Sequence, residues 1–121
     1  MQYLLLIYGD ETRWESRSEA ERNATYEEYM ALVQDLTAQG KLISANQLQS
    51  TETATTVRLR NDELLTTDGP FAETKETLGG YFLIEADSLD EALEWAARIP
   101  AAREAMVEVR PVVMREAEVA R

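Results

Sequence analysis

Asp68, Glu73, Lys75 and Glu76 place three carboxylates and one ammonium within nine residues. Two carboxylates forced close together cannot both ionise easily, so one is pushed to hold its proton and a general acid then stands beside a general base. Asp68 and Glu73 are the candidates for that catalytic pair. Lys75 could hold an anionic substrate or simply pair with Glu76. A charged loop is more often only solvated, and that reading stands beside the functional one. Asp10, in Gly9-Asp10-Glu11 at the end of an apolar run, is a candidate substrate contact, although it could equally cap the turn that follows. Arg58 and Arg60 share a face and could clamp a carboxylate in forked geometry; the plain alternative is an exposed face or a salt bridge at a dimer rim. Tyr8, Trp14 and Tyr81 could line an apolar pocket, with Tyr81 the substrate contact among them, or could be ordinary core aromatics.

The residue types that are absent narrow the chemistry. The 121 residues include no cysteine and no histidine. Disulfides, thiolate nucleophiles, Cys/His zinc sites and Ser-His-Asp triads are therefore excluded. A metal would need oxygen ligands alone, and no Asp-rich spacing of the EF-hand kind occurs, so neither metal nor cofactor is expected. With 23 acidic against 12 basic residues the formal charge is -11, distributed as -3 before residue 61 and -8 after it. A field of that sign repels phosphate backbones, and no basic stripe offsets it, so direct nucleic-acid binding is not expected. The longest apolar run, Tyr3 to Tyr8, is far shorter than the ~20 residues of a membrane span, and no basic segment precedes it. The chain reads as one cytoplasmic domain over residues 1–121, of a size that buries a core without staples.

These groups must be positioned by a small set of elements. Tyr3-Leu4-Leu5-Leu6-Ile7-Tyr8 reads as a strand apolar on both faces, ended by Gly9-Asp10. A helix follows from Ser18, with overlapping capping boxes Ser18-x-x-Glu21 and Thr25-x-x-Glu28 and an apolar face of Tyr26, Tyr29, Met30, Val33 and Leu36; Gly40 closes it. Leu42 to Leu48 is a second strand. Thr55 to Arg60 and Glu63 to Thr67 form a half-exposed hairpin about Asn61-Asp62. A loop through Asp68-Gly69-Pro70-Phe71 leads to Gly79-Gly80 and the strand Tyr81-Phe82-Leu83-Ile84. Ser88 opens a third capping box with Glu91, on a helix that Pro100 stops. The last strand is Val107 to Val113, and residues 114 to 121 form a polar end.

Setting residues 50 to 78 aside as an insertion leaves strand, helix, strand, strand, helix, strand, the order of an α+β, ferredoxin-like protomer. Its helices cover one sheet face. The other face should alternate with polar residues if water covered it, yet both faces of the first and third core strands are apolar. Covering three or four such side chains at about 1.5–3 kcal/mol each makes a two-fold, sheet-to-sheet homodimer the simplest solution, the insertion or the tail being the alternative cover.

Ile7-Tyr8-Gly9-Asp10-Glu11, Ala54-Thr55-Thr56-Val57-Arg58, the block from Thr67 through Asp68-Gly69-Pro70-Phe71-Ala72-Glu73-Thr74-Lys75-Glu76 to Gly79-Gly80-Tyr81, then Arg98-Ile99-Pro100 and Val107-Glu108-Val109-Arg110-Pro111, together resemble the DGPF branch of the YCII-related proteins. The resemblance implies a ferredoxin-like protomer assembled as a dimeric α/β barrel. Glu73 is the preferred single site residue because its block is the most distinctive. Relatives have been assigned a histidine–aspartate pair, which this chain cannot supply. Other DGPF-type sequences are associated with extracytoplasmic-function sigma factors, which implies a regulatory role.

Two expectations follow. The first is a dimer that binds a small anionic or polar molecule and performs cofactor-independent acid/base chemistry of a lyase or isomerase type. Glu73 and Asp68 would be its acid and base, and Asp10, Arg58, Lys75 and Tyr81 its substrate contacts. The second is a non-catalytic interaction module whose DGPF segment contacts a sigma factor.

Overall fold

Four antiparallel strands form the sheet that carries the molecule, in the spatial order β2 (Leu42–Gln47), β5 (Thr77–Glu85), β1 (Gln2–Gly9), β6 (Met106–Pro111). The computed structural model describes residues 1–115; the polar end expected over 114–121 therefore lies mostly outside the described residues. Counting only these four strands, the order is that of a ferredoxin-like fold, with the crossover helices α2 (Glu19–Ala38) and α3 (Leu89–Ala97). The inserted segment carries a short 3-10 turn at Thr51–Thr53 and a separate two-stranded sheet of β3 (Thr55–Arg60) and β4 (Glu63–Asp68). Two short helices, α1 (Glu11–Glu15) and α4 (Ala101–Glu104), have too few residues to show a period and were not foreseen.

One sheet face is the core. Tyr3 and Leu5 of β1 and Phe82 and Ile84 of β5 alternate inward and meet Leu32 and Leu36 of α2 and Ala92, Trp95 and Ala96 of α3. The other face carries Leu4 opposite Leu83 and Arg110, and Leu6 opposite Tyr81 and Glu108, all residues that alternation turns away from the helices. No element covers this face.

Helix α2 departs from the expected pattern. Ser18 makes the full capping box with Glu21, as the spacing predicts, but the Thr25 box does not start a helix. The Thr25 hydroxyl instead donates back to the Glu21 carbonyl at 3.2 Å inside the helix. Leu32 rather than Met30 faces the core, and Met30 and Tyr26 are exposed. At α3, Ser88 accepts from the Glu91 amide, while the Glu91 carboxylate reaches past the expected partner to the Asp87 amide at 2.7 Å.

The hairpin closes at Asn61-Asp62, both at positive φ (52° and 63°), which is the two-residue turn that matches strand twist. Its ladder runs in register from Thr55 and Asp68 to Arg60 and Glu63. The base is fixed where the Gly69 amide donates to the Ala54 carbonyl and the Thr56 hydroxyl donates to the Gly69 carbonyl.

Candidate functional site

A cavity of about 640 Å³ opens where β1 ends, between the core face of the sheet and the N-terminal half of α2. That volume suits a small-molecule site. Its position follows from local sequence. The register of β1 against β5 slips between Ile7 and Tyr8, so that Gly79 is left as the extra residue of a bulge and the sheet opens at this end. Gly80 then lies on the core face with no side chain to fill the space. It is obligatory there for another reason, because a Cβ would stand 2.9 Å from the Asn46 carbonyl oxygen of the neighbouring strand.

The roof is aromatic. Trp14 meets Tyr26 edge to face at 5.4 Å, and Tyr29 stacks on Phe82 at 6.3 Å. Burial pushes the Tyr29 phenol above its ordinary range, so it stays a neutral donor at any ordinary pH. Arg17 lies over the Trp14 ring at 5.5 Å and pairs with Glu104 across the cavity wall.

Asp10 and Lys75 border the same cavity. Asp10 is the N-cap of α1, accepting from the Thr12 amide at 2.9 Å and from the Thr12 hydroxyl. The hydroxyl bond, then the backbone amides of Thr12 and Arg13 and the charge of Lys75, hold its carboxyl below the usual range. An aspartate so held stays ionised and serves as a fixed acceptor; its lowered basicity makes it a weak general base. The neighbouring Glu11 is committed elsewhere. Its carboxylate, partly buried, accepts from the Thr51 amide at 2.8 Å and from the Ser50 and Thr51 hydroxyls. One side chain thereby ties the start of α1 to the start of the inserted segment, and both border the cavity.

The other residues expected at a site are placed apart. Asp68 pairs with Thr55 at the base of the exposed hairpin. Glu73 is exposed and lines a separate hollow of about 230 Å³ with Thr51, Glu52 and the Gly69-Pro70 turn. Arg58 is exposed on β3. Tyr81 borders the main cavity, but its hydroxyl is bonded to Ser44 at 3.1 Å and accepts from Asn46 at 2.9 Å. These bonds lie on the uncovered sheet face and draw the phenol below its ordinary range. The structure thus brings Asp10, Lys75 and Trp14 together and leaves Asp68, Glu73 and Arg58 outside. Tyr26, Tyr29, Arg17 and Gly80 were not foreseen as site residues. The tyrosine spacing was visible, but read as a core stripe.

Among the described residues, no group of three or more carboxylates converges on a point that could hold a metal ion. No helix among them is long and apolar enough to cross a membrane.

Comparison with known proteins places the arrangement. Residues 1–116 match the YCII-related domain. An uncharacterized protein of Rhizobium meliloti (strain 1021) is similar, 37% identical over 116 residues that make up 94% of each chain. Domain and relative span the same elements, from β1 through the inserted hairpin to β6, so sheet, cavity and insertion are one inherited unit. On these matches the chain belongs to the YCII-related domain family.

Proposed function

We propose that this chain is a small-molecule-binding protein whose ligand enters the cavity between α1, α2 and the open end of the sheet. The observation that carries the reading is the combination of an aromatic roof over a glycine-cleared floor with charged groups confined to the mouth. Such a site takes an apolar, ring-sized body and one polar or anionic group, which Lys75 can reach while Asp10 accepts from a donor beside it. The geometry supports binding more directly than acid/base turnover. Asp68 and Glu73 do not border the main cavity, and the carboxylate that does, Asp10, is held ionised by Thr12.

The test is amide and indole NMR mapping with a panel of ring carboxylates, beginning with 2-naphthoate. Saturable shifts at the Trp14 indole and the Gly79 and Gly80 amides, lost in Ala45→Trp and weakened severalfold in Lys75→Gln, are expected. Shifts confined to residues 55–68, or unchanged in Ala45→Trp, would sink the reading.

A second reading is favoured by one observation. Phe71, in the Asp68-Gly69-Pro70-Phe71 segment, is 88% exposed, the reverse of a turn anchored by a buried ring. We infer a protein contact surface there, and an extracytoplasmic-function sigma factor is the partner to test. Co-purification of such a factor with the wild-type chain and its loss in Phe71→Ala are expected; retention in Phe71→Ala counts against this reading.

The uncovered sheet face supports a third element of the proposal. Leu4, Leu6, Tyr81 and Leu83 are only half-buried within one chain, and pairing this face with its copy about a two-fold axis would cover all four and form the dimeric barrel.

A further inference from the structure

The β3–β4 hairpin makes its ladder only with itself, and no strand or helix of the body packs along it. An isolated two-stranded hairpin is at best marginally stable in water. This one exposes an apolar stripe on a single face, Val57, Leu59 and Leu64, at 62%, 68% and 65% exposure. Leu59 and Leu64 are direct cross-strand partners, so the stripe is contiguous. Its opposite face carries Arg58 and Arg60. Among the described residues neither makes an ion pair within its own chain.

We propose that the hairpin is an arm that reaches across to a second copy of this chain and lays Val57, Leu59 and Leu64 against the edge of that copy's uncovered sheet face. Three observations select the second copy. The chain itself offers the matching surface, since the sheet face of Leu4, Leu6, Tyr81 and Leu83 is apolar and unpartnered. Neither surface is sufficient alone. A stable interface uses about 20–30 residues a side, whereas the arm has two six-residue strands and the sheet face presents alternate residues of four short ones. One two-fold axis uses both surfaces twice and reaches that size. Finally, a chain of net charge -11 repels its copy, and two unpaired arginines on the projecting arm are placed to offset that repulsion against the copy's carboxylates. The inference rests on the face-to-face pairing proposed above, and adds the arm as the clasp that closes it.

Sedimentation at micromolar concentration separates the two. The wild-type chain is expected at twice 13.7 kDa, and Leu59→Glu/Leu64→Glu at the mass of one chain with its far-ultraviolet dichroism unchanged. Leu6→Glu/Leu83→Glu is expected to dissociate as well. If the arm variant remains a dimer while the sheet variant dissociates, face pairing survives and the arm is overturned; a wild-type monomer overturns both. Because the chain has no cysteine, a mixture of Leu59→Cys and Leu6→Cys chains supplies an independent measurement. A disulfide between the two different chains is expected under mild oxidation, and its failure to form in an intact dimer overturns the arm's placement.

Discussion

The body of the fold and its inserted segment are held together by different physics. All eleven buried hydrophobic residues belong to the body, whereas no residue from 48 to 76 is buried. The body is stabilised by area removed from water. The insertion is fixed at its base by polar contacts alone, from Glu11 to Ser50 and Thr51, from Leu48 to Gly79 and from Thr56 to Gly69. A segment that keeps its apolar side chains outside and its polar ones at the root is built to meet something beyond its own chain. The contrast also says where sequence change should matter. Truncations in the body should unfold the monomer, while the same truncations in the insertion should leave it folded.

The largest expected effect tests that directly. Leu36 is fully buried between α2 and the sheet, so Leu36→Ala should cost about 2–5 kcal/mol by lost burial and an unfilled cavity. Leu59→Ala, at 68% exposure, should change the urea midpoint of a dissociated chain very little. Comparable losses for the two, measured on the monomeric Leu6→Glu/Leu83→Glu background, would break the comparison.

Next in size is Gly80→Ala. The added methyl meets a backbone carbonyl oxygen, which cannot rotate away, so β2 must move from β5 at a cost of about 1–3 kcal/mol. Thermal unfolding reads the cost, and the same strand shift should reduce 2-naphthoate binding because Gly80 and Ala45 both border the cavity. Unchanged stability would mean that the strand separation is softer than a paired ladder allows.

How far the sequence disclosed all this depended on the range of the interaction. Strands β1 and β5 and the Ser18 and Ser88 caps were legible because alternation and capping are local signals. Met30 and Tyr26 were misjudged because helix period alone says which residues share a stripe, and it cannot say that the first half of α2 overhangs a cavity. Asp10 and Lys75 converge across 65 positions of chain, and Glu11 reaches Thr51 across 40; no spacing rule reports such pairs. Asp68 and Glu73 are neighbours in a charged stretch, yet a hairpin base and a turn carry them away from the cavity.

A smaller effect belongs to Glu91 and has a definite sign in pH. Its carboxyl is held down to about 2, first by the Asp87 amide, then by Lys41 at 2.7 Å and the Trp95 indole at 3.1 Å. A carboxyl whose pKa is lower folded than unfolded stabilises fully above the unfolded value of 4.5 and loses that contribution as pH falls toward 2. Glu91→Gln should therefore cost about 0.5–2 kcal/mol at pH 7, the range for a lost cap contact, and flatten the decline of stability between those two pH values. Equal acid slopes for wild type and variant in urea titrations would assign the acid sensitivity elsewhere.

The smallest global effect should come from the residue that joins the two regions. Glu11→Ala removes the acceptor for the Thr51 amide and for two hydroxyls, but it uncovers no core surface. Charge-assisted bonds of this kind are stronger than neutral ones, and here they order the short 3-10 turn rather than the sheet. The expected outcome is a melting temperature within about 2 °C of wild type, since a loss of a few tenths of a kcal/mol moves a domain of this size by no more. Hydrogen exchange should meanwhile rise at least tenfold at the amides of Thr51, Thr53 and Ala54 and stay unchanged in β1 and β5. Because this tether borders the cavity as well as the insertion, ligand binding should weaken in the same variant. Exchange that rose equally through the sheet would instead make the insertion part of the cooperative core, and the division between a packed body and a polar-rooted arm would fail.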